Sequence, residues 1–433
     1  MPLVSLYKQY KYQIICGITS QLRIIVILLF SGHSGLGYFS ILFSTTSILS
    51  FPALFIQNNA LQSRVMQNKR VDIGLYILYL VRFSFGLIIL CSIISFVVFL
   101  NQRSSYLGIN ANGLVLPISI LISPFFFLQS VAELSFTLKS DIRNYQSTLA
   151  TTNIFFILVF SLLSLLKDID SLHSIICAFV VSYILSPLVS IIRSNLKHYN
   201  YHVFRAASLD KFHSVQARSL FLIFRETFHF NIITLLSVTL DWLTKSFLES
   251  KSGLSAIGFL QIFQSIDSMI GSILAAPSYK KVLFEYSNRT LSYLKVLRSE
   301  NYIVLKPVFA SIIFLLSVRF FSNHFFLIPA LEKYIYISIP LALFLFAKIP
   351  SLILGFIGQI LIAFNHLNAV IILECSSRFS FSFFLIIYVF LFSFNPFSVP
   401  ICALISSFFT LLSLYILSRC SYIPTIYRII NPI

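Results

Sequence analysis

Apolar residues in this chain come in long runs, separated by shorter polar intervals, and the runs recur about every 36 residues. Each run is near the ~20 residues a helix needs to cross the hydrocarbon core of a bilayer. The runs are continuous rather than alternating apolar with polar, which excludes a transmembrane β-barrel. The pattern predicts about twelve spans. In the first half they lie near residues 12–30, 38–57, 76–100, 114–134, 148–166 and 174–192. In the second half they lie near 220–244, 255–277, 302–321, 334–362, 369–394 and 400–418. The longest polar interval, Arg193 to Arg218, falls near the midpoint. The expected organisation is a six-helix bundle over 1–192, a basic cytosolic linker over 193–219, and a second six-helix bundle over 220–433.

Composition sharpens the class. Hydrophobic residues make up 58% of the chain, charged residues 10%, and the mean hydropathy is +0.90. Globular domains carry roughly 25% charged residues, so this is an all-α integral membrane protein rather than a soluble one. The net charge of +17 points toward nucleic acid only until its position is considered. Placing the N-terminus inside leaves roughly 19 basic residues in the inner intervals and about four in the outer ones, Arg103, Lys167, Lys251 and Lys333. That asymmetry predicts both termini in the cytoplasm and no nucleic-acid partner. The first apolar run follows Lys8 and Lys11 as a signal peptide would, but it contains Gln21 and Arg23 and no small-residue cleavage site follows; it reads as an uncleaved first span. Six cysteines are scattered without a CxxC pair and read as structural thiols.

An internal repeat is faintly visible. SGLGYFSILF follows the first span and SGLSAIGFLQIF follows the seventh; Gly37-Tyr38 and Gly258-Phe259 open the next helix in each half. The offset of about 221 residues is close to half the chain and suits two parallel six-helix repeats.

The layout resembles the polysaccharide-exporter branch of the multidrug/oligosaccharidyl-lipid/polysaccharide exporter superfamily, in particular the O-antigen flippases of Wzx type. The resemblance rests on Gly35-Leu36-Gly37-Tyr38 with its apolar run, Asp241 in span seven, Gly253-Leu254 with Ala256-Ile257-Gly258-Phe259, and the inner turn Gln359 to Val370. One departure is Phe55-Ile56-Gln57-Asn58, where family members often place glycine. The resemblance implies a bacterial inner-membrane flippase that moves polyprenyl-pyrophosphate-linked oligosaccharide repeat units for O-antigen or capsule synthesis. It implies a polysaccharide polymerase and a chain-length regulator as partners beside the bilayer. No cofactor is expected, and no GxxxxGK[ST] loop for ATP occurs.

Charges inside the spans are costly and therefore mark candidate sites. The stretch Leu220–Leu248 alone carries Arg225, Glu226, His229, Asp241 and Lys245. Arg225, Lys245, Lys306 and Arg319 lie near span ends, where snorkelling to the interface is cheap. Arg23, Lys348 and Arg378 lie near span centres, too deep for easy snorkelling, and Arg82 is intermediate. A pyrophosphate crossing a ~30 Å apolar slab needs fixed cations in place of its lost water. Arg23, Lys348 and Arg378, with Arg225 and Arg82, are the expected substrate-binding cations, and the first four line one cationic cavity between the halves. Asp267, Asp241 and Glu374 are the candidates for ion coupling. Glu374 precedes Arg378 by one turn, so a self-neutralised i,i+4 pair is the competing structural reading. Neither His33 nor His213 has a partner at metal-ligand spacing, and no metal site is expected.

Two other classes fit less well. A multidrug or metabolite exporter of the same fold shares every feature but the substrate. A polytopic polysaccharide polymerase, an enzyme, needs a large outer loop, and the longest outer interval here is about a dozen residues.

Overall fold

The structure, a computed structural model, describes residues 3–51, 53, 73–105, 111–138, 142–166, 170–195, 215–271, 293–321, 337–363 and 367–419. Among these residues the chain is almost entirely helical, with no strand. The helices are α1 (Leu3–Leu49), α2 (Ile73–Ser105), α3 (Ala111–Leu138), α4 (Ile142–Leu165), α5 (Ser171–Asn195), α6 (Val215–Met269), α7 (Tyr293–Phe321), α8 (Ser338–Ala363), α9 (Leu367–Phe392) and α10 (Ser398–Arg419). Two of them, α1 and α6, are broken by a glycine and hold two expected spans each. The described residues of the twelve apolar runs thus fall almost entirely on helix. Nine stretches among the described residues are long and apolar enough to cross a membrane.

The two breaks explain the repeat. Gly32 (φ 65°, ψ −164°) and Gly253 (φ 77°, ψ 177°) occupy a region of backbone space open essentially to glycine alone. Their separation, 253 − 32, is the same offset of about 221 residues that relates Gly37-Tyr38 to Gly258-Phe259. Beyond each break the buried positions coincide as well. Leu36, Phe39 and Leu42 in α1 match Ile257, Leu260 and Phe263 in α6, all at most 2% exposed. The repeat therefore pairs Ser31-Gly32 with Ser252-Gly253, and the string match of Ser34-Gly35-Leu36 with Ser252-Gly253-Leu254 is out of register by three residues.

The chain divides into two compact units, Met1–Leu243 and Thr244–Ile433. In the first, α1 packs on α3, α4 and α5, while α2 packs on α3 and α4 on α5. The N-terminal part of α6 stays with this unit through Asp241 Oδ2, which accepts from Ser44 Oγ at 3.1 Å, and Trp242 Nε1, which donates to Thr45 Oγ1 at 3.2 Å. In the second unit α8 packs on α7, α9 and α10, and α9 packs on α10. The expected linker 193–219 lies largely outside the described residues, as do most of the basic inner intervals.

Packing follows membrane rules. Large apolar side chains face outward, among them Leu165, Phe320 and Phe390, and the interior is rich in serine and threonine. Without water between helices, small polar residues permit close approach and bond across the contact. Thr152 Oγ1 and Ser186 Oγ lie 2.6 Å apart between α4 and α5. Ser406 Oγ donates to the Ser377 carbonyl and Ser407 Oγ to the Ala347 carbonyl, each at 2.7 Å, tying α10 to α9 and α8. In α3, Pro124 cannot donate to the Ile120 carbonyl, and Ser123 Oγ supplies a bond to that oxygen at 3.0 Å. Five described cysteines are free; Cys402 is buried, while Cys177 is exposed on α5.

Candidate functional site

Among the described side chains, the N-terminal unit has a cation in its interior. Arg23 sits half-buried on α1, and its guanidinium lies 4.8 Å from the Phe39 ring and 6.0 Å from the Phe156 ring. Its Nη1 donates to Tyr183 Oη at 3.5 Å, and its Nε is buried without a hydrogen-bond partner. Tyr183 on α5 is 5% exposed and stacks on Phe126 (4.5 Å) and Phe179 (4.6 Å). Arg23 therefore stands in an aromatic cage drawn from α1, α4 and α5. Aromatic faces stabilise a desolvated guanidinium by about 2 kcal/mol without neutralising it. Among the described residues no carboxylate lies within ion-pairing distance of Arg23.

A buried acid lies nearby. Glu133 on α3 is 5% exposed and accepts from Gln129 Nε2 at 3.0 Å. Glu133 and Arg23 act electrostatically on the same two groups, Cys16 and Tyr183. Asn153 donates to Thr19 at 3.5 Å in the same unit. Glu133 falls inside the expected span 114–134, yet it was not among the expected coupling acids. Its position one residue from that boundary hid it. Gln129 four residues earlier, on the same helix face, was the available signal.

The C-terminal unit holds a paired cation. Lys348 Nζ on α8 lies 2.8 Å from Asp267 Oδ2 on α6, and 5.3 Å from the Phe344 ring. A substrate-binding candidate and a coupling candidate thus form one ion pair. Arg378 and Glu374 on α9 also pair, at 3.7 Å, each about half exposed, as their spacing allows. Asp241 is held by Ser44 in the first unit. Arg82 lies on the exposed face of α2, beside the exposed Phe83 and Phe85. Arg225 lies in helical α6, but its side chain is outside the described part of the structure, as are those of Glu226 and His229. Lys245, expected to snorkel, is instead 4% exposed, next to the buried Thr244. Its place near a span end did not decide its burial.

No protein-family model matches the sequence, and no curated protein sequence matches it. Solved structures do match. A structure of the lipid II flippase MurJ in an inward closed conformation is 16% identical, with a TM-score of 0.62 over 94% of this chain and 87% of its own. An inward-facing multidrug-resistance MATE transporter of the MOP superfamily is 11% identical, with a TM-score of 0.63 over 95% and 96%. This chain has the MOP exporter fold. A MOP-superfamily transporter from Pyrococcus furiosus, described as having a binding pocket of reversed polarity, shares it at 12% identity and a TM-score of 0.57, over 94% of each chain. Among the described residues, the cations set into the interior are Arg23 in one unit and, in the other, the Asp267-bound Lys348 and the buried Lys245.

Proposed function

We propose that this chain is a flippase for polyprenyl-pyrophosphate-linked oligosaccharide repeat units, working in the bacterial inner membrane with both termini cytoplasmic. It serves O-antigen or capsule polysaccharide synthesis by alternating access. The observation that carries this reading is Arg23: a guanidinium in the membrane interior, with a buried unbonded Nε, one long bond to Tyr183, and no carboxylate partner. Buried polar groups are almost always satisfied, so an interior cation left short of acceptors is suited to an anionic ligand. Guanidinium holds phosphate oxygens in a bidentate geometry and stays charged when desolvated. A multidrug substrate that is itself cationic would be repelled at this position. Lys348 and Arg378, with Arg225, are the further cations assigned to the headgroup, while Asp267, Asp241 and Glu374 are the coupling candidates. The likeness in fold to a lipid II flippase supports a lipid-linked substrate.

The test is genetic and chemical together. A clean deletion should abolish surface glycan, while lipid-linked repeat units accumulate on the inner leaflet. Unchanged glycan amount and length in a non-redundant background would reject the reading. A polymerase defect differs, because single repeat units would still reach the surface.

A further inference from the structure

We propose that the Asp267–Lys348 pair is a proton-linked phosphate site: an anionic headgroup takes the Lys348 ammonium, and Asp267 takes up a proton from solution in exchange. The proposal rests on the flippase reading above and adds a coupling step to it. Asp267 is the one hydrogen-bond partner of Lys348 among the described residues, and only its Oδ2 is engaged. An ammonium carries three donors, so capacity remains for phosphate oxygens. The side chains are 23% and 40% exposed, so a ligand can reach both. Phe344 at 5.3 Å and Phe381 at 6.0 Å present ring faces to the ammonium. Those faces keep the cation stabilised when the carboxylate is neutralised.

The surroundings strengthen the exchange. An apolar cluster of Ile270, Val304, Val308, Leu345, Leu352 and Phe356 reaches within one helical turn of each partner, through Ile270 at the end of α6 and Leu345 and Leu352 on α8. Low-dielectric neighbours make an unpaired charge expensive, so a phosphate and an ionised Asp267 cannot both face one ammonium cheaply. Among the described side chains, the other charges on these helices are paired, exposed or several turns away. Lys306 on α7 is exposed, while its neighbours Val304 and Val308 fill the cluster. On α9, Glu374 and Arg378 pair with each other, and it is Phe381 of that helix that approaches Lys348. The described part of α10 from Ser398 to Leu417 has Cys402 and Tyr415 as its titratable groups, the second exposed. On α6 itself, Lys245, Glu249 and Lys251 lie four to six turns of helix before Asp267.

Internal comparison marks the position. At the 221-residue offset Asp267 corresponds to Thr46, whose hydroxyl donates to its own helix at Leu42 O, 2.7 Å away. The second half thus places a carboxylate where the first has a hydroxyl satisfied within its own helix. The step is balanced: the Lys348–Asp267 ion pair opens, the ammonium bonds a phosphate oxygen, and one proton binds the Asp267 carboxylate. No covalent bond changes.

The experiment uses the purified full chain in lipid nanodiscs and measures binding of undecaprenyl pyrophosphate between about pH 6 and pH 8, with proton uptake recorded in weak buffer. Undecaprenol serves as the uncharged control and inorganic pyrophosphate as the free-anion arm. Uptake of one proton tightens binding by up to about tenfold per unit fall in pH. Asp267→Asn should bind tightly across the range and lose that slope except for the ligand's own titration, whereas Lys348→Met should bind weakly throughout. Lys348→Arg should retain both binding and slope. A wild-type affinity independent of pH, or a slope unchanged in Asp267→Asn, would overturn the proposal while leaving the flippase reading intact. Equal binding of undecaprenol and its pyrophosphate would overturn both. Inorganic pyrophosphate that matches the lipid in affinity and proton uptake identifies a free-anion site and removes the link to flipping. If Asp267→Asn fails to fold, Asp267→Ser takes its place in the same comparison.

Discussion

Gly32 and Gly253 hold the same glycine-only backbone conformation at equivalent positions of the two halves. A Cβ at either position would meet no atom within 4 Å, so the backbone alone bears the cost of substitution. Alanine at either site should lower stability by about 1–3 kcal/mol, read as a fall in the thermal unfolding midpoint in detergent. Gly86 is the internal control: it is helical, a Cβ there also meets nothing, and alanine should be neutral or stabilising by up to about 1 kcal/mol. Equal effects at all three sites would show that the breaks are not strained for other residues.

Glu133 is the next test, because its carboxylate accepts a hydrogen bond from the Gln129 amide in the interior of the first unit. Glu133→Ala leaves a buried amide without its acceptor, with an expected loss of about 1–3 kcal/mol. Glu133→Gln retains an acceptor and should lose less. Thermal melts of the two variants settle the order; an alanine variant as stable as wild type would mean that Gln129 is satisfied elsewhere.

Consecutive residues of α6 bond to the first unit, Asp241 to Ser44 and Trp242 to Thr45. Ser44→Ala and Thr45→Val should each destabilise the protein by about 0.5–1.5 kcal/mol. The loss for Ser44→Ala should be the larger, because its acceptor is ionisable. A double variant no less stable than either single one would contradict independent contacts.

Orientation is open to direct measurement. Reporter fusions after Ser63, Ser140, Ala207, Asn288 and at the C-terminus should read cytosolic, and fusions between Ser104 and Ala111 or near Ser252 should read external. A cytosolic signal near Ser252 would contradict the break at Gly253 as an outer turn.

The spans were legible in the sequence because a long apolar run has few alternatives to a membrane helix. Their interior chemistry was legible only in part. Asp267 and Lys348 were both singled out by depth, but 81 positions separate them, and no local pattern joined them into a pair. Glu374 and Arg378 could be paired in advance, since one turn of helix brings them together. The cage around Arg23 draws on Phe39, Phe156 and Tyr183 from three helices, a non-local arrangement that spacing cannot encode. Lys245 shows the limit of depth as a guide. Distance from a span end says whether a side chain can reach the interface, while the packing of its neighbours decides whether it does.

Arg23 carries the account, so its substitution is the most direct test. In a strain that makes the lipid-linked repeat unit, Arg23→Ala, Arg23→Lys and Tyr183→Phe are compared for the rate at which repeat units reach the outer leaflet, with membrane protein levels measured alongside. Loss of a charge-assisted phosphate contact should slow Arg23→Ala by roughly 10- to 100-fold at wild-type abundance. Arg23→Lys should retain part of the rate, since it keeps the charge but not the bidentate fork. Tyr183→Phe, which removes only a long hydrogen bond, should stay close to wild type. An Arg23→Ala protein that exports at the wild-type rate, or one that fails only because it is absent from the membrane, would contradict the assignment of Arg23 to the pyrophosphate.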